Sequence, residues 1–193
     1  MKLSIVIMAH PKREKLARAL SKKLGGVPIV WDEKNNVWDT CKRSWLKINP
    51  KAEFGLVLQD DAIIAHDFKK RAADRLVGRF VYNLFIPSAL HKQVARAVEE
   101  KKETLQLNYI SGEVAICIPT KYINSMIKFC DSRNAQTDQH ITQWALKQRF
   151  KILYPIPALV DHSHERSLHR ENLGLKQLDT PVVGCYFAGE NKI

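Results

Sequence analysis

Phe54-Gly55-Leu56-Val57-Leu58-Gln59-Asp60-Asp61 passes from an apolar run straight into two adjacent carboxylates. The apolar part reads as the third strand of the chain, short and bounded by polar residues. Alternate residues of a strand share a face. Gln59 and Asp61 therefore reach one side as the strand ends, while Asp60 faces the other or bends inward. Ligands of parallel sheets lie in the crevice outside the carboxyl ends of the strands. Carboxylates placed there can hold Mg²⁺ or Mn²⁺ through oxygen and leave coordination positions open for phosphates. The same Asp-Asp pair is also compatible with a plain turn or a helix cap.

Reading outward from that stretch, residues 3–8 form a continuous Ile- and Val-rich run, the pattern of a strand buried on both faces. After His10-Pro11, Leu16, Leu20 and Leu24 recur at helical spacing. Lys12, Arg13, Lys15, Arg18, Lys22 and Lys23 occupy the outer positions, and Gly25-Gly26 stops the helix. Residues 27–31 give a second strand ending at Asp32, and a helix follows over 37–48, closed by Asn49-Pro50. Beyond the third strand, Ile63-Ile64 continue briefly, and Phe68, Ala72 and Leu76 mark a helix over 66–77. A fourth strand is expected over 79–85, a short charged helix around Val94 and Val98, extended chain over 105–110, and a strand over 113–118. Two further helices (one from Tyr122 to Cys130, one over 138–150) precede a strand over 151–157. Strand–helix alternation makes the class α/β: one domain over 1–193, with a mixed, mostly parallel sheet flanked by helices. Past Val160 the periodicity fails, and residues 161–193 read as a lid or C-terminal extension.

Size and composition agree with that reading. A chain of 193 residues and 22.2 kDa suits one domain with a real core, and 45% hydrophobic with 26% charged residues is ordinary globular usage. Cys41, Cys117, Cys130 and Cys185 lack the close pairing of structural zinc sites and read as buried thiols of a reducing, cytoplasmic setting. The N-terminus lacks a cleavage signal, and no stretch approaches the roughly 20 apolar residues needed to span a bilayer. No stable membrane insertion is expected. Lys plus Arg is 31 against 20 for Asp plus Glu, a formal net charge of +11 that favours polyanionic partners.

The order and spacing of these features resemble the GT-A type of nucleotide-sugar glycosyltransferase, particularly the compact versions in phage genomes. The resemblance covers roughly residues 3–170 and implies a Rossmann-like GT-A domain using Mn²⁺ or Mg²⁺. The first strand SIVIMAH leads into the loop PKRE, so His10, Pro11 and Arg13 fall where such enzymes hold the nucleoside diphosphate. Asp32 falls where the family reads nucleobase or ribose, and Trp38 and Arg43 are grouped with it as donor contacts. Gln59, Asp60 and Asp61 fall at the DXD-like motif, with Asp61 as the metal ligand and Asp60 on the donor. Gly112, before AICIP, resembles the segment lining the donor sugar. Asp138, opening DQHITQWAL, resembles the catalytic base, and His162 a late histidine that completes the metal shell. Gln59 departs from the acid expected at the first motif position, and His10 stands where many relatives carry Pro or Thr.

Plain structural roles compete with these assignments. Asp138 also suits a helix start, Asp32 a turn, and His162 shares its polar segment with His164 and His169. Trp38, Trp45 and Trp144 also fit a core. For the acceptor, Arg71, Arg75 and Arg79 at i, i+4, i+8 suggest a phosphate-contacting ridge, joined by Arg166 and Arg170 in the expected lid. This leads to hexose transfer, glucose from UDP-glucose, onto a 5-hydroxymethylpyrimidine of DNA, an acceptor the phage relatives imply. Direct in-line attack would invert the sugar carbon. A surface glycan, lipid or protein is the rival acceptor, and a non-catalytic nucleic-acid-binding module the rival class.

Overall fold

The computed structural model describes residues 2–132, 137–163 and 184–188. Its N-terminal apolar run is β1 (Leu3–Ala9), which pairs in parallel with β2 (Ile29–Trp31) on one side and β3 (Phe54–Gln59) on the other. The helices that return the chain between them are α1 (Glu14–Lys23) and α2 (Val37–Leu46). After β3 come a short strand β4 (Ala62–Ile64), α3 (Phe68–Arg75), β5 (Val81–Asn83), α4 (His91–Glu99) and β6 (Thr104–Leu107). β7 (Ala115–Pro119), α5 (Ile123–Asp131), α6 (Thr137–Lys147), β8 (Ile152–Pro155) and β9 (Val160–His162) complete the described elements.

Seven of these strands form one sheet in the order β2-β1-β3-β7-β5-β8-β6. β7 runs antiparallel to β3 and β5, and β6 antiparallel to β8, so five of the seven strands share one direction. The expected mixed, mostly parallel α/β sheet is therefore the one observed. The reversal of β7 has a consequence for chemistry. Its entry lies at the same edge of the sheet as the carboxyl ends of β1, β2 and β3.

Helices cover both faces. Ala17, Leu20 and Leu24 of the first helix pack with Phe68, Ala72 and Leu76 around α3 against one face. Cys41, Trp45, Val94, Met126, Ile127, Ile141 and Trp144 pack against the other. β3 feeds both layers by alternation: Leu56 and Leu58 point into the first, Val57 into the second. Gly55 is required by this packing, since a Cβ there would meet Ile48 Cγ2 at 2.8 Å and Ile123 Cδ1 at 2.9 Å.

Three segments differ from their expected form. Ile63-Ile64 do not prolong β3. The chain turns at Asp60-Asp61, and β4 pairs instead with β9 in a separate two-stranded antiparallel ribbon. The fourth strand is three residues long, because the wholly buried Asn83 side chain accepts from Phe85 N (3.2 Å) and bends the chain out of the ladder. Regular structure also persists past Val160, through β9. Residues 184–188 lie against the body, with Cys185 N donating to Ile86 O (2.8 Å) and Ala158 N to Tyr186 O (2.7 Å). Most of the expected lid, residues 164–183 and 189–193, lies outside the described residues. All four cysteines are free thiols, three of them buried. Among the described residues, no helix is long and apolar enough to cross a membrane.

Candidate active site

The turn after β3 buries two carboxylates side by side, Asp60 at 5% and Asp61 at 3% exposure. β1 supplies the first partner: His10 N donates to Asp60 Oδ2 at 2.8 Å. The loop Pro11–Arg13 is a single 3-10 turn, started by His10, whose Nδ1 accepts from Lys12 N at 3.1 Å. That turn aims Arg13 back at the sheet edge, where one guanidinium nitrogen bridges Asp60 Oδ1 (3.1 Å) and Asp61 Oδ2. The β4–β9 ribbon supplies the fourth group. Its register sets Ala62 opposite His162, which brings His162 Nε2 to 3.2 Å from Asp61 Oδ2, and Ser163 N donates to Asp61 O at 2.9 Å.

Burial and charge act differently on each group. Burial is the largest influence on Asp60 and raises its pKa, helped by the neighbouring Asp61 and opposed by the His10 N–H and Arg13. Burial also pushes Asp61 upward, but the hydrogen bond and charge of His162 together with Arg13 outweigh it, and Asp61 lies below the ordinary carboxylate value. His162 is drawn down by burial and up by Asp61, and the Asp61 effect wins. Asp61 is thus the ionised centre of the cluster.

Removing one member of a buried charge set leaves the rest uncompensated, at a cost of about 3 kcal/mol. Arg13→Met is therefore expected to destabilise the fold by roughly that amount in chemical denaturation near neutrality. The loss should shrink as pH falls through the raised Asp60 titration, because a protonated Asp60 no longer needs a cation. An equal loss above and below that titration would refute this account of Arg13.

Among the described residues, three buried polar atoms at this turn have no hydrogen-bond partner: Asp61 Oδ1, His162 Nδ1 and Ser163 Oγ. Such atoms are rare in folded proteins, and a bound water or ion commonly satisfies them. Among the described residues, no group of three or more His, Cys, Asp or Glu side chains is arranged to hold a metal. Asp61 and His162 are the two side chains here that could hold a divalent ion, which would need its remaining positions filled by other oxygen ligands.

Across the sheet edge lies a second acidic locus. Asp138 sits in the first turn of α6, partly buried, and its Oδ1 accepts from Gln139 N at 2.7 Å. Gly112 and Glu113 enter β7 nearby. Gly112 adopts φ +70°, and a Cβ there would meet Phe85 Cε1 at 3.1 Å. Glu113 is partly buried, and burial followed by the charge of Asp138 pushes its carboxyl up to about 8. In the sequence it is marked only as an acid placed directly before an apolar strand.

The other expected site residues have these positions. Asp32 ends β2, its backbone N donating to Ala9 O (2.7 Å), and its Oδ1 caps the following turn through Asn36 N (3.0 Å). Trp38 Nε1 donates to Asp131 Oδ1 (3.1 Å), which ties it to α5. Arg43 donates to Trp31 O and to Asp39, both at 2.8 Å, and braces β2 against α2. Gln59 is partly buried at the end of β3, opposite Met8, with its backbone N on Val114 O (2.9 Å). Arg71, Arg75 and Arg79 do not make one ridge. The helix ends at Arg75, which donates to Ile156 O at 2.7 Å, and the turn at Gly78 sends Arg79 to stack over Phe150 (4.8 Å) and Tyr122 (5.1 Å). Arg166, Arg170, His164 and His169 lie outside the described residues.

A mostly parallel sheet with buried acids at the end of its third strand and a second acidic locus across the edge belongs to a mixed α/β, GT-A-like fold. Solved structures agree with it. The catalytic domain of Drosophila β1,4-galactosyltransferase 7 in complex with xylobiose is similar over 100% of this chain and 82% of its own, with TM-score 0.56 and 8% identity. A mutant of the same enzyme in complex with manganese, UDP-Gal and xylobiose gives 93% and 81%, with TM-score 0.55 and 8% identity. A protein from STIV matches with TM-score 0.51 and 12% identity, over 86% of this chain and 87% of that one. No family model matches the sequence, and no curated protein matches it. At such identities the likeness concerns the fold.

Proposed function

We propose that the chain is a metal-dependent glycosyltransferase that moves a hexose from a nucleoside-diphosphate sugar to an acceptor hydroxyl. The observation that carries this reading is the pair of buried atoms, Asp61 Oδ1 and His162 Nδ1, that have no hydrogen-bond partner among the described residues and lie beside Arg13 at the carboxyl end of β3. A divalent ion held by Asp61 and His162 would supply charge neutralisation for the leaving diphosphate. Arg13 adds a fixed positive charge at the same place, and the His10 N–H with Asp60 orients the loop that meets the phosphates. Asp138 takes the proton of the acceptor hydroxyl as general base. Attack in line with the departing diphosphate inverts the sugar carbon. Neighbours of the same fold crystallise with manganese and UDP-Gal, which supports a UDP-sugar as donor, with glucose the sugar to test first.

Two acceptors are carried forward. The net charge of +11 supports DNA bearing a hydroxymethylpyrimidine. A glycan acceptor is supported by the xylobiose bound to the same-fold galactosyltransferase. Incubation with UDP-glucose, Mn²⁺ and either hydroxymethylated DNA or xylosides, followed by mass analysis of nucleosides or sugars, separates them. A hexose gain on nucleosides establishes the first and a longer sugar the second. No UDP release with either acceptor, nor with water, would sink the transferase reading itself.

A further inference from the structure

We propose that Asp161 is a positioning residue for His162: its carboxylate latches residues 184–188 onto the β4–β9 ribbon, and docking of that strap and binding of a divalent ion at Asp61 and His162 favour each other. The coupling rests on the metal reading above. The latch itself stands on contacts outside the acidic cluster.

Asp161 and His162 are successive residues of β9, so their side chains leave the strand on opposite faces. His162 turns toward Asp61, with Nε2 3.2 Å from Oδ2, and Asp161 turns toward the C-terminal strap. Its Oδ1 accepts two backbone N–H groups there. One is its own neighbour's, His162 N at 2.7 Å, and the other is that of Gly184, 23 positions further along, at 2.6 Å. A single oxygen therefore joins the backbone that carries His162 to the strap. The fit is close: a Cβ on Gly184 would meet Asp161 Oδ1 at 2.5 Å, so glycine is what lets the chain approach this carboxylate.

The strap is held along its length. Cys185 N donates to Ile86 O (2.8 Å), Ala158 N to Tyr186 O (2.7 Å) and Ala188 N to Ala158 O (2.9 Å), while Gly184 pairs with Pro87 and Phe187 with Ala158. Phe85, wholly buried, makes a second link to the site. Its ring centroid lies 6.2 Å from that of His162, and its Cε2 is 3.4 Å from the place a Gly184 Cβ would take. His162 and the strap thus share both a carboxylate and a ring. The ribbon needs such help, because two three-residue strands are marginal by themselves. A metal ligand also binds well only when its orientation is fixed by the groups behind it. An ion that requires His162 in place then favours the docked strap, and the docked strap favours the ion by the same factor.

The test uses the full chain with Mn²⁺ as the probe. Calorimetry should show Mn²⁺ affinity weakened about tenfold in Asp161→Ala, the low end of the cost of removing an outer partner of a metal ligand. Gly184→Ala should weaken it likewise, although it alters no group of the acidic cluster. Asp161→Asn, whose amide oxygen can accept both N–H groups, should recover most of the loss. Hydrogen exchange read by mass spectrometry supplies the converse. Saturating Mn²⁺ should slow exchange across 184–188 in wild type by about the same factor, and by less in Asp161→Ala and Gly184→Ala, with exchange in β1 and β3 unchanged. Wild-type Mn²⁺ affinity in both disruptive variants overturns the coupling and leaves the metal reading standing. An Asp161→Asn as weak as Asp161→Ala overturns the latch, and so does loosening of β1 and β3 together with the strap. A wild-type chain that binds no Mn²⁺ even with UDP present overturns the metal reading, and the coupling with it.

Discussion

Asp61→Asn is expected to reduce Mn²⁺-dependent UDP release by about 10³-fold, with the fold retained. The substitution keeps the size of the side chain and its ability to accept from Arg13, but it removes the charge around which the cluster is organised. Asp61 is the one carboxylate here held below its ordinary value, because His162 and Arg13 together overcome the burial that opposes them. With a neutral amide, His162 loses the partner that draws its pKa upward, and a divalent ion held there would lose an ionised protein ligand. The expected signature is a loss in kcat together with loss of Mn²⁺ binding, measured by titration calorimetry or by the relaxation of bound manganese. Full Mn²⁺ affinity in Asp61→Asn would show that the ion, if used, sits elsewhere. Asp60→Asn should be milder, since Asp60 already bonds a backbone N–H and faces Arg13.

The second large effect falls across the sheet edge. Asp138→Asn should lower kcat by about 10²- to 10⁴-fold, the range for loss of a general base, and leave donor affinity near wild type. The asparagine can still accept from Gln139 N, so the first turn of α6 keeps its local bond and a structural role alone would not produce the loss. A matching fall in donor affinity would instead place Asp138 on the donor. The two substitutions therefore dissect the site: one abolishes ion binding and the other spares it.

Much of the fold was legible because its determinants are local. β1 and β3 announce themselves as apolar runs, and α1 by leucines at helical spacing, so the two acids could be assigned to the end of a parallel strand. What was not legible depends on residues distant along the chain. Arg13 reaches Asp60 and Asp61 across 47 and 48 positions, and nothing in PKRE distinguishes a residue that bridges two acids from one more surface cation. The β4–β9 pairing joins two three-residue strands too short to signal themselves by alternation. The arginine ridge fails for a local reason: the helix ends at Arg75 with Leu76 already extended, and nearby carbonyls and rings claim Arg75 and Arg79.

The ribbon of β4 with β9 also sets a timetable. Asp61 emerges from the ribosome roughly 100 residues before His162, since nascent chains grow and fold from the N-terminus. β1, β2 and β3 with their helices can assemble from nearby sequence, whereas the partner of Asp61 must close a long loop to arrive, a slow class of contact. During that interval Arg13 alone balances the two acids. The surroundings of Asp61 are thus completed only when the six-residue ribbon closes.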